Sequence, residues 1–457
     1  MGKLKKGQRF SVRIDGLSHG AEGVGRINEK VVFVPQAIPG DTAQVQLVHV
    51  KDRFAHAVLE DIIDPSPDRI IPSCPHAQEC GGCQLQHMSY DAQLQWKRQQ
   101  VQDAVERIGH LKVPVLPTKG MDTPFGYRNK AQFPLGRDGG QVVMGFFRRG
   151  THNIVDLTQC EVQHPLITRL ALQVKETVER LGIEPYDEIA HTGVLRHAVI
   201  RVSFSENKLM LVLVTKTKEI PHLDSLIQEL VEIVPELVSV AQNINPKVTN
   251  VIFGPETHLL WGETHLMERI GRMVYAISPR SFFQVNSTQT KVLYDLVKEY
   301  ADLQGHETVL DLYCGTGTIG LYLAQEAKQI IGVETIQDAV HDAKRNAALN
   351  GIDNGRFIHG KAEEVVPKLV QDLGKIDCVI LDPPRKGCEQ VVLDTLAEAK
   401  VRQVVYVSCN PATLARDLAH LAAREYKVGS VQPVDLFPWT RHVECVVMMS
   451  LGNGLGC

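Results

Sequence analysis

The first sixty residues alternate apolar and polar side chains with the period of a β-strand. Phe10, Val12 and Ile14 are each followed by a polar residue, which is the pattern of a strand with one buried face. Further short strands are predicted at residues 31–34, 43–48 and 57–63. Because glycines separate these strands, residues 1–63 are predicted to form a small all-β barrel, a fold that can bind nucleic acid on one face.

Residues 64–280 show a mixed pattern. Prolines 65, 67 and 72 indicate a linker after the barrel. The polar segment 91–108 has helical spacing, which predicts a solvent-exposed helix. Strand patterns at 198–204 and 208–215 are followed by a predicted helix near 224–234. We therefore expect a central α+β domain in this part of the chain.

Beyond about residue 281, apolar strands alternate with helical patterns. The alternating segments are 287–300, 308–313, 318–327, 329–334, 337–349, 378–381 and 404–408. This alternation predicts a parallel sheet with helices on both of its faces. The fold class expected for residues 281–457 is therefore α/β.

The net charge of −4 and the pI near 6.5 argue against a nucleic-acid partner when the chain is taken as a whole. The charge is unevenly distributed, however. Residues 1–60 hold nine Lys and Arg against six Asp and Glu, and residues 119–152 hold six against two. Residues 301–457 hold fifteen against twenty. Because the basic residues are concentrated in the first two units, those units can still bind a polyanion.

Two further observations limit the class of protein. No apolar run reaches the roughly 18 residues of a membrane span, and the polar, basic start of the chain is unlike a secretory signal. We therefore expect a cytoplasmic protein that does not bind membranes. In such a protein the ten cysteines are interpreted as metal ligands, nucleophiles or core thiols, and not as a disulfide scaffold.

The strongest local pattern is a glycine-rich turn between a predicted strand and a predicted helix, at residues 309–320. Gly315, Gly317 and Gly320 have the dinucleotide-fingerprint spacing, which lets the backbone approach a ligand closely. Asp311 precedes the turn and favours a methyl-donor site. Glu334 ends the next predicted strand, where a carboxylate can bind ribose hydroxyls. The alternative is a tight turn that only packs the strand on the helix.

Asp382 ends a third apolar strand and is followed by two prolines, which predict a rigid, non-helical exit. Because the carboxyl ends of parallel strands meet at one edge of a sheet, Asp382 is expected near the same crevice. The alternative is a strand end with a solvated acid.

Cys409 follows a fourth apolar strand, just before a predicted helix at 412–420. The helix dipole is expected to lower the pKa of this thiol and make it a nucleophile, although a lone cysteine is more often a core residue. His442 or Glu444 could be its acid–base partner. Glu444 begins a strongly apolar strand, where burial is expected to raise the proton affinity of a carboxylate.

A separate cysteine group lies far from these motifs. Cys74, Cys80 and Cys83 fall within ten residues, and Cys160 follows much later. Four thiolates suit an iron–sulfur cluster or a structural zinc ion, or the thiols carry no ligand. A close pair with a distant fourth cysteine favours the iron–sulfur cluster, because zinc fingers normally use two close pairs.

Taken together, these motifs resemble the RNA (uracil-5-)-methyltransferase family, and more narrowly its bacterial 23S ribosomal RNA enzymes with a TRAM domain and an iron–sulfur cluster. The motifs that carry the resemblance are the four cysteines and residues 282–286, 310–317, 382–387, 408–411 and 442–444. The resemblance covers essentially the whole chain. It implies a TRAM, or OB-like, barrel at 1–63, a cluster-carrying central domain at 64–280 and a Rossmann-like methyltransferase domain at 281–457.

The resemblance also implies roles for individual residues. It implies contacts with S-adenosylmethionine for Gln284, Tyr313, Thr318, Glu334 and Asp382, with Thr318 at a position where some members have asparagine. It makes Cys409 the nucleophile and Glu444 the proton acceptor. It makes Cys74, Cys80, Cys83 and Cys160 the ligands of a [4Fe–4S] cluster, which we expect to be structural.

These residue types suit the implied chemistry. Uracil C5 is a poor nucleophile, and thiolate addition to C6 turns it into an enolate carbon that can attack an electrophilic methyl group. A base must then remove the C5 proton so that the thiol is expelled. The uracil must be flipped out of its stack, or already be unpaired, to reach such a site.

The implied substrate is a specific uridine of 23S rRNA, converted to 5-methyluridine by a monomer that does not bind DNA. Basic residues expected to hold the RNA backbone lie at 127–130 and at Arg137, Arg148 and Arg149, while Tyr127, Phe146 and Phe147 are expected either to stack on bases or to pack in the core. The alternatives are a transfer-RNA enzyme, a non-catalytic RNA-binding protein with a relict fold, and an iron–sulfur redox enzyme.

Overall fold

The computed structural model describes residues 4–452. The N-terminal unit is a closed barrel of strands β1 (Arg9–Leu17), β2 (Gly23–Ile27), β3 (Lys30–Val34), β4 (Thr42–Val50) and β5 (Phe54–Asp64). They are hydrogen-bonded in the order β1-β2-β3-β5-β4, and β4 pairs with β1 to close the barrel. Val12, Ile14 and Val45 lie in its core. The predicted all-β barrel is confirmed.

A seven-stranded sheet forms the central unit. Its elements follow helix α1 (Tyr90–Arg107) and are β6 (Lys130–Asp138), β7 (Gln141–Phe147), β8 (Ile154–Asp156), α2 (Pro165–Arg180), β9 (Leu195–Val202), β10 (Leu209–Thr215), α3 (Leu223–Ile233), β11 (Leu237–Ile244) and β12 (Glu256–Gly262). The strand order is β12-β11-β10-β9-β6-β7-β8. Helices α2 and α3 cover one face through a core that includes Leu170, Val174 and Leu226. The mixed helix-and-strand pattern predicted for this region is confirmed.

A hairpin of β13 (Leu266–Ile270) and β14 (Met273–Ile277) leads into the C-terminal unit. The elements of that unit are α4 (Ser287–Ala301), β15 (Thr308–Leu312), α5 (Thr318–Leu323), β16 (Gln329–Glu334), α6 (Gln337–Leu349), β17 (Gly355–His359), α7 (Ala362–Leu373), β18 (Cys378–Leu381), α8 (Gln390–Glu398), β19 (Gln403–Ser408), α9 (Pro411–Ala422), β20 (Tyr426–Val434) and β21 (Glu444–Leu451). The strand order is β17-β16-β15-β18-β19-β21-β20.

Helices cover both faces of this second sheet. One core contains side chains of α4, α5 and α6, and the other contains side chains of α7, α8 and α9. The predicted parallel arrangement is confirmed for β15 to β19. The last two strands differ, because β21 runs antiparallel to both β19 and β20. Only the loop 435–443 joins β20 to β21, and a parallel pair would need a longer crossover.

Helix α1 also differs from its prediction, because it is not solvent-exposed. It packs against α9, and Val101 and Val105 belong to the core of the C-terminal unit. Lys97 and Gln93 have no exposed surface, and both find polar partners. A polar helix can be buried when its polar groups are paired. None of the helices in residues 4–452, α1 included, combines the length and hydrophobicity that a bilayer span requires.

Candidate active site

The glycine-rich turn between β15 and α5 has the backbone that its sequence predicts. Gly315 and Gly317 have φ angles of +56° and +77°, which residues with a side chain rarely adopt. A Cβ atom on Gly320 would lie 2.7 Å from Asp311 Oδ2, which accepts a 2.8 Å hydrogen bond from the Gly320 amide. A Cβ atom on Gly315 would meet no atom within 4 Å. This part of the turn therefore faces open space from which a ligand can approach the backbone.

Glu334 ends β16, the strand beside β15, and is 9% exposed. Its Oε2 atom accepts a 3.0 Å hydrogen bond from the Gly315 amide, and Oε1 accepts a 2.8 Å bond from the Ile336 amide. Glu334 is thus not a freely solvated acid at the end of a strand. It fixes the position of the glycine-rich turn.

Polar side chains around the turn include atoms that lack a partner. The Tyr313 hydroxyl and Asp311 Oδ1 are both buried without a hydrogen bond in the described part of the chain. Thr318 begins α5, and its Oγ1 atom accepts a 2.8 Å hydrogen bond from the Tyr294 hydroxyl. Because buried polar atoms without partners cost free energy, the atoms of Tyr313 and Asp311 mark a place for a polar ligand.

Asp382 follows β18, the strand on the other side of β15. Burial raises the pKa of Asp382 to about 7. Burial also raises the pKa of Asp311 to about 7, with a further contribution from the charges of Asp382 and Glu334. Three carboxyl groups therefore converge at the carboxyl edge of three neighbouring strands, an arrangement that would stabilise a positively charged ligand.

Gln284 lies on the segment between β14 and α4 and is buried. Asn129 of the central unit donates hydrogen bonds to the Gln284 main-chain oxygen at 2.9 Å and to Ser287 Oγ at 3.0 Å. The central and C-terminal units are thus joined at this segment. In the described chain, no hydrogen bond joins the Gln284 side chain to the other four predicted cofactor residues. The structure gathers those four around one turn and places Gln284 on a neighbouring segment.

Cys409 and Glu444 lie at the same edge of the sheet. Cys409 follows β19 directly, and Glu444 begins β21, whose antiparallel register places Cys445 opposite Ser408. Glu444 is 4% exposed, whereas Cys409 is partly exposed. The charge of Asp382 acts on both groups. The predicted nucleophile, the predicted base and an acid of the predicted cofactor site are therefore neighbours.

The pKa of Cys409 is raised, whereas the helix dipole was expected to lower it. Burial and the charges of Glu444 and Asp382 raise this pKa to about 11, and Arg385 acts in the opposite direction. The N-terminus of α9 is close by, at Pro411, but burial and two carboxyl groups outweigh it. Burial also raises the pKa of Glu444 well above its usual value, as its position in an apolar strand predicts.

His442 is the alternative acid–base partner from the sequence. Both of its ring nitrogens lie 3.4 Å from an Arg385 guanidinium nitrogen. Burial and the surrounding cations lower the pKa of His442 to about 4. His442 is therefore a weak base in this environment, and the geometry favours Glu444.

The loop 435–443 leads directly to Glu444 and is held by buried polar contacts. Lys97 Nζ on α1 lies 2.6 Å from Asp435 Oδ1, and neither side chain has exposed surface. The Tyr90 hydroxyl donates a 3.0 Å hydrogen bond to Asp435 Oδ2. Helix α1, which the sequence places far from the active site, thus helps to position the strand that begins with Glu444.

The same loop contacts the cysteine-rich segment. The Trp439 main-chain oxygen accepts 3.0 Å hydrogen bonds from the amides of Gln84 and Leu85, which directly follow Cys83. The Trp439 indole N–H donates a 2.7 Å bond to the Pro124 oxygen. The cysteine segment and the Glu444 loop are therefore part of one hydrogen-bonded structure.

We expect Lys97→Ala to destabilise the protein by roughly 3–5 kcal/mol, because the substitution leaves the Asp435 carboxylate buried without its cation. Urea and thermal unfolding measure this loss. The control is Arg107→Ala on the same helix, which removes an exposed 3.4 Å pair with Asp103 and should cost at most about 1 kcal/mol. Equal, small effects of both substitutions would show that the buried pair does not stabilise this interface.

Cys74, Cys80, Cys83 and Cys160, which are distant in sequence, line one cavity of about 60 Å³. Burial and the charge of Cys160 together raise the pKa of Cys83 to about 12. In residues 4–452, no three His, Cys, Asp or Glu side chains converge closely enough to hold a metal ion. The four cysteines thus line one cavity, but their side chains as placed do not form a set of metal ligands.

The aromatic residues predicted to stack on RNA bases have partners within the protein. Tyr127 is 1% exposed, and its hydroxyl donates a 2.9 Å hydrogen bond to the Pro438 oxygen. Phe146 lines the cysteine cavity, and the Phe147 ring stacks on His152. For Tyr127 the core-packing alternative is correct, because a buried ring cannot reach a base.

Most of the basic residues predicted to hold RNA also have internal partners. Arg149 donates to the main-chain oxygens of the cysteine segment, at Ala77, Cys80 and Cys83. Arg137 forms a 2.8 Å ion pair with Glu184, and Arg148 forms a 2.8 Å pair with Glu79. Arg128 lies over the rings of Tyr127 and Phe437. In the described structure the Lys130 side chain has neither an ion pair nor a hydrogen bond, and the Phe253 ring lies near its Nζ atom.

Comparison with known proteins identifies the class to which this site belongs. Residues 89–451 match the family described as tRNA (Uracil-5-)-methyltransferase. The chain belongs to the tRNA (uracil-5-)-methyltransferase family. Residues 3–59 match the TRAM domain, which gives the N-terminal barrel its identity. The methyltransferase is therefore an S-adenosylmethionine-dependent RNA enzyme with an RNA-binding module, and the resemblance found in the sequence is confirmed at this level.

Relatives of this methyltransferase are similar over nearly their whole length. An uncharacterized RNA methyltransferase of Halalkalibacterium halodurans is 48% identical over 451 residues, 98% of each chain. One from Clostridium tetani is 45% identical over 447 residues, 98% of this chain and 97% of the relative. The crystal structure of Pyrococcus abyssi tRNA (uracil-54, C5)-methyltransferase in complex with S-adenosyl-L-homocysteine superposes with a TM-score of 0.77 at 30% identity, covering 96% of this chain and 99% of that chain.

The sequence pattern did not reveal two tyrosines that position Thr318. The Tyr294 hydroxyl on α4 donates a hydrogen bond to Thr318 Oγ1. The Tyr275 hydroxyl on β14 donates a 2.9 Å hydrogen bond to the Thr318 main-chain oxygen. Both tyrosines occupy ordinary apolar positions of their elements, so no local motif marks them. Only the packing of α4 and β14 against α5 brings them to the site.

Proposed function

We propose that this methyltransferase transfers the methyl group of S-adenosylmethionine to C5 of a specific uridine in 23S rRNA. Cys409 forms a covalent bond to C6 of the uracil, Glu444 removes the C5 proton, and the product is 5-methyluridine. The observation that carries this proposal is the convergence of Cys409, Glu444 and Asp382 at one edge of the C-terminal sheet. We further propose that the enzyme acts as a cytoplasmic monomer.

The residues at the glycine-rich turn fit S-adenosylmethionine. The open space at Gly315 and the unpartnered polar atoms of Asp311 and Tyr313 provide room and hydrogen-bonding groups. The converging carboxyl groups suit a ligand with a positively charged sulfonium and amine. The residues that would hold the cofactor are Gln284, Tyr313, Thr318, Glu334 and Asp382. When bound, the cofactor supplies an electrophilic methyl group.

The protein's own groups then carry the covalent and proton-transfer steps. The Cys409 thiolate adds to C6, and the electron pair of the C5–C6 double bond becomes available at C5 for bonding to the methyl carbon, whose bond to sulfur would break with the electron pair left on the sulfur. Glu444 accepts the C5 proton, the C5–C6 double bond re-forms, and the C6–S bond breaks to return the thiolate. Glu444 finally releases its proton to solvent, so Cys409 and Glu444 are regenerated.

The electrostatics of the site match these roles. Glu444 has a raised pKa, so as a carboxylate it has a high affinity for the C5 proton. Cys409 must be a thiolate to attack, and Arg385 is the neighbouring group that lowers its pKa. Arg385 is held in place because its main-chain oxygen accepts a 2.9 Å hydrogen bond from Asn410, the residue after Cys409.

The substrate is tested with purified protein, labelled methyl donor and separate unmodified transcripts of 23S rRNA and tRNA. The combination of TRAM domain and four-cysteine cavity supports 23S rRNA. The name of the Pyrococcus abyssi relative makes transfer RNA the second candidate. Label confined to 5-methyluridine of 23S rRNA is the expected result. Label confined to tRNA would establish the second candidate, and label in neither RNA would favour a non-catalytic protein.

We also propose that the four-cysteine cavity holds a structural [4Fe–4S] cluster. Four thiols around a space of about 60 Å³ suit a polynuclear cluster, whose ligands bind different iron atoms, better than one zinc ion. Arg149, which bonds the main chain of Cys80 and Cys83, places a positive charge next to the thiolates. The cluster's role would be to fold the segment that contacts Trp439.

We expect Cys83→Ser to lose the iron and sulfide that the wild-type protein carries when it is purified without oxygen. The visible absorbance of the cluster should disappear in parallel, and thermal unfolding should occur at lower temperature. Cys378→Ala, at a fully buried cysteine of β18, is the control and should keep full iron content. Stoichiometric zinc, or no metal, in the wild-type protein would contradict the proposal.

A further inference from the structure

Lys130 and Arg201 form a pair of cations on the central sheet that no acid neutralises. They are direct cross-strand partners in the register of β6 and β9. Their neighbours Ala131 and Ile200 lie in the core beneath α2 and α3. Since side chains alternate along a strand, Lys130 and Arg201 lie on the opposite face, which α2 and α3 leave uncovered.

Neither cation has a counter-ion in the described structure. Arg201 is 2% exposed, it donates to the Ser281 main-chain oxygen, and its Nε atom is buried without a partner. Lys130 is half-buried, and its Nζ atom lies 5.6 Å from the centre of the Phe253 ring. Asp342 on α6 is an acid close to Ser281. It accepts hydrogen bonds from the Ser278 and Ser281 hydroxyls and forms no ion pair with Lys130 or Arg201 in the described structure. Two adjacent, partly dehydrated basic groups without an acid are costly to charge together, and a bound anion would offset that cost.

This pair lies beside the candidate active site. Asn129, the residue before Lys130, bonds the main chain at Gln284. Ser281, which binds Arg201, belongs to the same segment as Gln284. Arg128 lies 5.9 Å from the ring of Phe437, in the loop that leads to Glu444. The start of β6 therefore lies next to both the segment that contains Gln284 and the loop 435–443 that leads to Glu444.

We propose that Lys130 and Arg201 form a binding site for one phosphodiester group of the RNA, close to the uridine that is methylated. Lys130, which is half-buried, would contact the phosphodiester group. Arg201 is its buried cross-strand partner and would add positive charge next to it. This inference rests on the proposed function, because it requires that the substrate is an RNA. It differs from the sequence expectation because Arg137, Arg148 and Arg149 have internal partners, which leaves Lys130 as the contact, while the buried Arg201 contributes its charge and not a surface contact.

The protonation of Lys130 gives the site a distinctive pH dependence. Burial and the neighbouring charge of Arg201 lower the pKa of Lys130 to about 6, so the free protein carries a largely neutral amine at pH 7.5. The groups near it are the Arg201 guanidinium, which donates to the Ser281 carbonyl, and the Phe253 ring. A phosphodiester beside the amine would raise its pKa, so binding takes up a proton above pH 6. The RNA affinity should therefore fall as the pH rises from 6 to 8, by at most about tenfold per pH unit.

The test measures binding of an unmodified 23S rRNA transcript by filter retention, as a function of salt and pH, without the methyl donor. Lys130→Met should weaken binding about tenfold at pH 6 and reduce the slope of log affinity against log salt by about one. It should also remove the share of the pH dependence that Lys130 carries. Lys130→Arg, which stays charged, should keep the salt slope and bind at pH 8 as tightly as at pH 6.

The control is Lys368→Met on α7, an exposed lysine, which should leave affinity, salt slope and pH dependence unchanged. Circular dichroism and thermal unfolding confirm that each variant is folded. An unchanged affinity and salt slope in Lys130→Met, or an equal loss in Lys368→Met, would overturn the proposal. Because this assay needs no methyl transfer, its result is separable from failure of the proposed reaction.

Discussion

Cys409→Ala is expected to abolish methyl transfer to RNA, with a loss of roughly 10⁴- to 10⁶-fold in turnover, while RNA binding is retained. Without the thiolate no covalent bond forms at C6, so C5 does not become a nucleophile. Removal of the nucleophile of a covalent enzyme typically costs activity of this order. Transfer of labelled methyl groups to unmodified rRNA measures the first effect, and filter retention of the same RNA measures the second.

The control for this substitution is Cys378→Ala. Cys378 begins β18, at the end of the strand away from Asp382, and it has no exposed surface. Its replacement removes a thiol from the same sheet without touching the site, so turnover should change less than a few-fold. Full activity in Cys409→Ala would rule out the covalent mechanism.

Glu444→Gln is expected to lower turnover by about 10²–10⁴-fold and to accumulate a covalent complex between protein and RNA. A glutamine of the same shape cannot accept the C5 proton, so the steps before proton removal proceed and the C6–S bond does not break. A band that survives denaturing electrophoresis, contains labelled RNA and requires Cys409 measures the complex. The double variant that also carries Cys409→Ala should show no such band.

Glu398→Gln is the matched control, because Glu398 is an exposed residue at the end of α8 and its replacement should leave turnover unchanged. If Glu444→Gln lost activity without accumulating the complex, the role of Glu444 would be to support cofactor binding or folding. Activity close to that of wild type would show that another group removes the proton. His442, with a pKa lowered to about 4, is too weak a base to be the expected substitute.

The elements that position the candidate site were largely predictable, because each lies in a local motif. The glycines of residues 309–320 require a turn between strand and helix, and Asp382 and Cys409 directly follow apolar strands. Since the carboxyl ends of parallel strands share one edge, the sequence was enough to expect Glu334, Asp382 and Cys409 together. The structure places each of them at that edge.

The predictions that failed concern burial and charge. The sequence cannot show that the polar helix α1 is buried against α9, because Lys97 and its partner Asp435 are more than three hundred residues apart. It also predicted a lowered pKa for Cys409, since a helix start is visible in the sequence but the neighbouring carboxyl groups of Asp382 and Glu444 are not. Arg149 was predicted to contact RNA for the same reason, since its partners in the cysteine segment are distant in the chain. For Tyr127 the sequence left stacking on a base and core packing both open, and only the structure shows that the ring is buried.

The sequence by itself determined the barrel, the alternating C-terminal unit, the glycine-rich turn and the family to which the chain belongs. These features depend on periodicity and on residues close together in the chain, where backbone sterics and hydrophobic patterning act. Tertiary structure alone decided that four cysteines surround one cavity, that α1 supports the loop of Glu444, and that Lys130 and Arg201 stand together without an acid. Those arrangements depend on long-range packing, which fixes burial and the distance between charges and thereby sets proton affinities and binding surfaces.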